Sequence, residues 1–410
     1  MLNRSVFDWP AGVSVYKPEK CWNGLTIVNP YLSRSIYLVD MLGRVVHRWN
    51  IHTEEPLYSF FLERQIRGAW MSMLWRFPPF EHDGAGWGGN PVDCLAQIDE
   101  NGQFLWRYVP PKQFRPHHDF RRLANGHTLL LVDEMTSKPA ISEKPLKDQL
   151  FLELSPDNEI VWQWRTSDHF GEFRYSEEGK RHIHQRGMDA FHNNTASVLP
   201  ATPLGESDRR FRKGNILGCQ RHTNTIYIID RDSGEVAWQW GAGSGQLVGP
   251  HHPTMLDNGN ILIYDNGGQG GAPPRSRPYT RLAELNPAAE RIVWQYGPDV
   301  EADKATAKFF SHSWGSAQRL PNGNTFSLDC HKGLLFEVTP RGEIVWEYQS
   351  PFPREVRATT EYGIYRAFRV GYEDAPFADR RLTETDGHAD IVPANIEIPP
   401  EMGLPPKELP

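Results

Sequence analysis

The chain has 410 residues, 39% apolar and 12% aromatic with 14 Trp, enough to bury a large core. Its net charge of −7, from 44 Lys and Arg against 51 Asp and Glu, argues against a nucleic-acid or anionic-membrane partner, which needs basic patches. It has no run of about 18 apolar residues to span a bilayer, and the opening MLNRSVFDWPAGV lacks the apolar region of a secretory signal. The expected setting is therefore cytosolic. Cys21, Cys94, Cys219 and Cys330 show no CxxC spacing and read as buried free thiols rather than disulfides.

Residues 1–35 lead in, with Gly24-Leu25-Thr26-Ile27-Val28 as an inner strand of a first sheet. From residue 36 a repeat sets in: strand, short polar turn, then a strand ending in paired aromatics. Its copies are IYLVDMLGRVVHRW (36–49), LAQIDENGQFLWRY (95–108), LFLELSPDNEIVWQW (150–164), IYIIDRDSGEVAWQW (226–240), LAELNPAAERIVWQY (282–296) and LFEVTPRGEIVWEY (335–348). Aligned on His47, Trp106, Trp162, Trp238, Trp294 and Trp346, they recur every 52 to 76 residues. Each reads as the outer hairpin of a four-stranded blade, with its Trp packed between neighbouring blades. The inner hairpins carry Asn-Gly turns, in HHDFRRLANGHTLLLVD (117–133), GPHHPTMLDNGNILIYDNGG (249–268) and SHSWGSAQRLPNGNTFSLD (311–329), where both turn positions want φ > 0. The fold expected is all-β, a six-bladed β-propeller with four-stranded blades around a central channel, one domain over 1–380. A β-sandwich with degenerate strands is the alternative.

Between the repeats lie departures from the rhythm. Residues 51–93 form an aromatic insertion with Trp70, Trp75, Phe77, Phe80 and Trp87, and read either as a candidate lid over an aromatic substrate or as a plug on the core. Residues 165–190 form a polar insertion, the second candidate lid, with His182 and His184 facing one side if the segment is extended. That pair reads as metal ligands or as surface histidines. Residues 201–213 read as an exposed loop and 266–281 as an irregular Gly/Pro-rich connection. The run YGIYRAFRVGY within 357–379 is expected to return to the first blade and close the ring. Residues 381–410 are Pro-rich and read as an extended tail.

Chemistry is expected where inner strands meet the axis. His118 lies eight residues before Gly126, and His251 eight before Gly259. Equal offset means equal facing, so these two match while His117 and His252 point elsewhere. His192 opens the corresponding strand of the fourth blade, followed by Asn193 and Asn194; Arg221 and His331 end the partner strands of the fourth and sixth blades, and His312 sits nearer a face. Two chemistries fit. A neutral imidazole could attack an electrophile while Arg and Asn hold the developing anion and a second histidine moves the proton. Alternatively, His118, His192, His251 and His312 could coordinate Zn²⁺ or Cu. A propeller that only binds a partner through its top face is the third reading.

The blocks PAGVSVYKPEKCWNGLTIVNP, SIYLVDMLGRVVHRW, HHDFRRLANGHTLLL, FHNNTASVLP, GNILGCQRHTNTIYIID, HHPTMLDNGNILIYDNGG and SAQRLPNGNTFSLDCHKGLLFEVTPRGEIVWEY, in this order over about residues 10–375, resemble the bacterial arylsulfotransferase family. The resemblance implies a six-bladed propeller and sulfuryl transfer from a phenolic sulfate ester to another phenol, ping-pong, through a sulfated histidine. It implies His251 as that nucleophile, His192 and His118 as the other catalytic histidines, and Arg221 and Asn194 as sulfate ligands. His252, His312, His331, Trp70 and Trp75 complete the candidate substrate contacts. No cofactor is expected in this reading, and Cu or Zn²⁺ in the metal alternative. The partner expected is a small aromatic substrate, with no nucleic acid or membrane. Monomer and homodimer both remain open.

Overall fold

The computed structural model describes residues 11–31, 33, 35–52, 58–63, 71–76, 94–242, 246–268, 270–297, 309–352, 363–374 and 394–397; of 51–52, 58–63, 71–76, 94, 374 and 394–397 the backbone alone is described. The described strands form six sheets, almost wholly antiparallel. In chain order, the first holds Gly24–Val28, Ser35–Val39 and Val45–His52. The second holds Tyr58–Glu63, Met71–Arg76, Cys94–Ile98 and Phe104–Tyr108. The third holds Arg115–Arg122, Thr128–Thr136, Leu146–Leu154 and Ile160–Arg165. The fourth holds Asn193–Val198, Ile216–Gln220, Thr225–Ile229 and Val236–Trp240. The fifth holds Pro250–Met255, Ile261–Asp265, Arg281–Asn286 and Arg291–Tyr296. The sixth holds Ala317–Arg319, Thr325–Asp329, Leu334–Val338 and Ile344–Gln349. The architecture is an all-β propeller built mainly of four-stranded sheets. Five sheets are described with the side chains of their inner strands, the second with the backbone of its inner pair.

Two sheets exceed four strands, which corrects the uniform blade expected. Phe368–Gly371 pairs with Gly24–Val28, so the innermost strand of the first sheet comes from the far end of the chain, as the run at 357–379 suggested. Ala394–Glu397 adds a parallel fifth strand outside Val45–His52, so the tail is not wholly an unpaired extension. Gly12–Tyr16 pairs with Ile344–Gln349 as a fifth strand of the sixth sheet. The segment 51–93 is not simply an insertion. Its residues 58–63 and 71–76 are the inner hairpin of the second sheet, hidden because their connection carries no Asn-Gly turn and no histidine.

The Asn-Gly turns form for a different reason from the one expected. Only the glycine takes φ > 0, at 86° for Gly126, 83° for Gly259 and 86° for Gly323. Each asparagine instead accepts a backbone N–H two residues on, from His127, Asn260 and Asn324. The turn is a four-residue turn closed by a left-handed glycine, with the Asx bond holding it.

Outer-strand tryptophans tie five of the six sheets to the next one. Indole N–H groups donate from Trp49 to Asp99 O, Trp106 to Asn158 Oδ1, Trp164 to Gly234 O, Trp294 to Pro340 O and Trp346 to Met41 O. These bonds run first to second, second to third, third to fourth, fifth to sixth and sixth back to first. An indole shielded from water needs a partner for its single donor, and in these five the neighbouring turn region supplies it, whereas Trp238 Nε1 in the fourth sheet is buried without one.

Near the axis, Arg366 is 1% exposed; it donates to Asp119 Oδ1 at 2.9 Å and Asn194 O at 3.0 Å, joining the third and fourth sheets to the closing segment. Arg369, also buried, pairs with Glu337. Cys219 and Cys330 are buried free thiols and Cys21 is half-buried, while Cys94 lies outside the described side chains. No helix among the described residues is long and apolar enough to cross a membrane.

Candidate functional site

The innermost strands of the third, fourth and fifth sheets are irregular at the same level. Pairing skips between Pro116 and Phe120, between Asn193 and Ala196, and between His251 and Thr254. His118, His192 and His252 have φ of 55°, 57° and 48°. A histidine at positive φ costs about 1 kcal/mol or more, so the surrounding structure must hold it there. The result is that adjacent residues no longer alternate strictly across the sheet.

His251 is 2% exposed. Its Nδ1 donates to Asn266 Oδ1 at 2.7 Å and to Gly249 O at 3.0 Å. The Asn266 amide is itself fixed, because its nitrogen donates to Ser311 O at 2.9 Å and Trp314 O at 2.7 Å. Both partners of Nδ1 are acceptors, so Nδ1 carries the proton and Nε2 keeps a free lone pair. Burial, followed by Arg221 and His192, holds the His251 pKa well below its usual value, which keeps the ring neutral.

His192 is backed by a carboxylate. Its Nδ1 makes a very short hydrogen bond to Asp189 Oδ2, and since a carboxylate accepts, Nε2 is the free nitrogen. Asp189 Oδ1 also accepts from Gln149 Nε2 at 3.2 Å and lies 3.6 Å from the Lys147 ammonium. Burial depresses the His192 pKa and Asp189 opposes that shift in part. His222 completes the group. Its Nδ1 donates to Asp189 O at 2.7 Å, and its Nε2 accepts from Arg221 Nη1 at 3.0 Å and Arg186 Nη2 at 3.2 Å. Burial lowers its pKa to about 2.

His118 approaches His192 edge-on, with ring centroids 4.6 Å apart. Its Nδ1 is 2.7 Å from His117 Nδ1, and His117 Nε2 is 3.0 Å from Asp133 Oδ1 in a bent approach. Lys147 lies 3.1 Å from Asp133 Oδ2. Burial and then the neighbouring His192 hold the His118 pKa well below its usual value. Around the three imidazoles, the cations Arg186, Arg221 and Lys147 outnumber the carboxylates Asp133 and Asp189 by one. Arg221 is under-used: its Nε is buried with no hydrogen bond. That excess suits a singly charged anion.

Of the expected site residues, His118, His192, His251 and Arg221 come together. His312 and His331 stack at 3.9 Å, with Trp314 on His331 at 4.7 Å; Arg221 adds to the depression of the His312 pKa, which is due first to burial. These rings form a shelf beside the cluster. Asn194 does not reach the site: it is fully buried, with Nδ2 on Pro250 O and Oδ1 on Thr195 Oγ1. His252 turns away towards Phe368, 5.6 Å off, and lines a separate cavity of about 870 Å³ with Arg121, Thr254 and Arg319. Trp70 lies outside the described residues; Trp75 falls in the second strand of the second sheet, its side chain outside them.

The metal set His118, His192, His251 and His312 does not gather three donors about one point. Among the described residues the three donors within 4.8 Å of one another are Asp189, His192 and His222. They fit an ion poorly, because His222 Nε2 faces two guanidinium groups and Asp189 already serves His192 and Lys147. His182 and His184 lie on a helix, Glu177–Arg186, and do not share a face as an extended pair would. That helix is capped by the Ser176 side chain on Gly179 N and stopped by Gly187 at φ 56°, and it delivers Arg186 and Asp189 to the site. The 201–213 segment is likewise ordered, with Phe211 buried.

Sequence reasoning missed Asp189, His222, Lys147, Asp133 and Arg186. The local signal for two was present, since Asp189 stands three residues before His192 and His222 follows Arg221. The buried imidazoles also fix a pH response. His118, His192, His251 and His252 all have depressed folded-state values, so the unfolded chain binds more protons as pH falls through about 6.5. Stability is therefore full above that range and falls below it, with Asp133 and Asp189 adding a further loss below about 3.8. A lower urea midpoint at pH 5.5 than at 7.5 is expected; equal midpoints would contradict the burial of neutral rings.

The family model for arylsulfotransferase (ASST) matches residues 83–351. The chain belongs to the arylsulfotransferase family. Membership in it points to transferase chemistry of the arylsulfotransferase kind. Among curated proteins none matches the sequence. Several solved structures are distantly similar. One is a protein of unknown function from Bacteroides caccae, 13% identical over 84% of this chain and 98% of that one, TM-score 0.48. Another is a catalytically inactive virginiamycin B lyase from Staphylococcus aureus with quinupristin, 12% identical over 73% and 76%, TM-score 0.36. A third is apo AztD from Citrobacter koseri, 8% identical over 88% and 98%, TM-score 0.39. At that distance they carry no argument about the arylsulfotransferase-family site.

Proposed function

We propose that this chain is an arylsulfotransferase that moves a sulfuryl group between phenols through His251, at the axis of six blades formed by the six sheets. The observation that carries this reading is the set of His118, His192 and His251, each with its Nδ1 engaged and its Nε2 bare, beside the under-partnered Arg221. The supports behind the rings differ. His251 is backed by a neutral amide and a carbonyl, so its sulfated form stays reactive. His192 is backed by a carboxylate and is the better proton carrier.

In the donor half, His192 takes a proton from solvent at its bare Nε2 as the anionic ester binds; His251 Nε2 attacks sulfur, the ester S–O bond breaks, and His192 passes that proton to the leaving phenolate. In the acceptor half, His192 takes the proton of the incoming phenol, whose oxygen attacks sulfur as the S–N bond breaks. The proton from solvent leaves with the first phenol, and the incoming phenol's proton restores it on His192. Arg221 holds the sulfuryl oxygens, and the shelf of His312, His331 and Trp314 faces the aryl group. No nucleotide donor and no metal enter this scheme.

Purified, demetallated protein given 4-nitrophenyl sulfate and excess phenol should release nitrophenolate with ping-pong kinetics and form phenyl sulfate. Absence of transfer would remove the sulfuryl reading, and activity restored only by Zn²⁺ or Cu would move the choice to a metalloenzyme.

A further inference from the structure

His118 has no carboxylate of its own, yet the contacts behind it, His118 to His117 to Asp133, end on one. We propose that His117 and Asp133 are positioning residues that lock His118 as its Nδ1–H tautomer, making it a second proton carrier beside His192. This rests on the sulfuryl-transfer reading for its chemistry, but not for its geometry.

With His117 taken as neutral, the chain of contacts has one self-consistent proton assignment. Asp133 is an acceptor, so the His117 nitrogen 3.0 Å from it, Nε2, carries the hydrogen. A neutral His117 then offers Nδ1 as an acceptor, and His118 Nδ1, 2.7 Å away, must donate to it. His118 Nε2 is left without a hydrogen bond, in a ring whose centroid lies 4.6 Å from that of His192. The positive φ at His118 is what makes this contact available. In a regular strand the side chains of residues 117 and 118 would leave opposite faces, whereas here their rings meet at 5.0 Å and nearly at right angles.

Lys147 makes the arrangement directional. Its ammonium lies 3.1 Å from Asp133 Oδ2 and 3.6 Å from Asp189 Oδ1, so one buried cation anchors the carboxylates behind both His118 and His192. When His118 takes a proton at Nε2, the positive charge is met through His117 by Asp133. The groups bearing on His118 are therefore His117 on its own strand, Lys147 on the third strand of the same sheet, and His192 and His251 from the next two sheets.

Asp133→Asn tests this sharply. Lys147 demands an oxygen at the Oδ2 position, so the amide NH₂ turns to His117 Nε2 and donates. His117 must then carry its hydrogen on Nδ1 and donate to His118 Nδ1, which forces His118 into the Nε2–H form. The readout is the ¹⁵N spectrum of the histidine-labelled full chain at neutral pH. The expected result is Nδ1–H with a bare Nε2 for His118 in the parent and the reversed tautomer in Asp133→Asn. His117→Phe, which fills the volume without an acceptor, should leave His118 divided between tautomers and serves if Asp133→Asn does not fold. A parent His118 already protonated on Nε2, or one unchanged in both variants, would overturn the proposal. In the transfer assay, Asp133→Asn should lower kcat on the order of 10²-fold with KM for the acceptor held. A parent without transfer would instead count against the sulfuryl reading and leave the tautomer result standing.

Discussion

Asp189→Asn is expected to lower sulfuryl transfer by roughly 10²–10⁴-fold while leaving the fold intact, because it reverses a tautomer. Asp189 Oδ1 faces two donors, Gln149 Nε2 at 3.2 Å and the Lys147 ammonium at 3.6 Å, whereas Oδ2 faces only His192 Nδ1. The asparagine oxygen settles against the two donors, and its NH₂ faces the imidazole. His192 Nδ1 must then accept, its hydrogen moves to Nε2, and the lone pair that takes the acceptor's proton is gone. The backbone carbonyl that holds His222 is untouched, so the arginines keep their places. Steady-state kcat with phenol as acceptor, read beside the thermal midpoint, separates this from unfolding. Activity within a few-fold of the parent would mean that His192 is not the proton carrier.

Arg366→Met is the substitution expected to cost most in stability, about 3–5 kcal/mol. The Arg366–Asp119 pair is 1% exposed on both sides, and Asp119 Oδ2 also accepts from Ala196 N at 3.0 Å. Removing the guanidinium strands a carboxylate at the centre of three sheets, without water to solvate it. The same substitution frees Asn194 O. Adding Asp119→Asn should recover a large part of the loss, since the stranded charge, not the missing contact, dominates. Urea unfolding of the single and double variants decides it. A single-variant loss under about 1 kcal/mol would mean that the pair is dispensable.

The elements that announced themselves in the sequence were those fixed by short-range chemistry. Asn-Gly turns depend on local residue type and are in place, although only the glycine of each takes positive φ. The return to the first sheet is in place too, but the inter-sheet bonds of the first and third sheets come from Trp49 and Trp164, two residues past the aligned positions. The hairpin of residues 58–76 was missed because nothing local marks its connection. In the site, equal spacing to the turn paired His118 with His251, and both rings bear on the same cluster, although by backbone it is His118 and His252 that share positive φ and the third sheet skips more residues than the fifth. The same alternation argument set His117 aside, and there it failed, because positive φ at His118 breaks strict alternation and lets the two rings meet.

Residues brought in by register were harder still. Asp133 and Lys147 sit on different strands from the histidines they support, and Asp189 lies three residues past the end of a helix, in a segment that composition had marked only as a polar insertion. The family resemblance supplied Asn194 as a ligand by its place after His192, yet the bulge directs its amide to Pro250 O.

The claim everything else serves is that His251 Nε2 forms the bond to sulfur. Protein mixed with 4-nitrophenyl sulfate and no acceptor, quenched in alkali and digested, should yield one peptide with an added sulfuryl group, on His251. The label should be lost on adding phenol and absent from His251→Ala. A sulfuryl group on His118 or His192 instead, or turnover with no labelled histidine at all, would contradict the account.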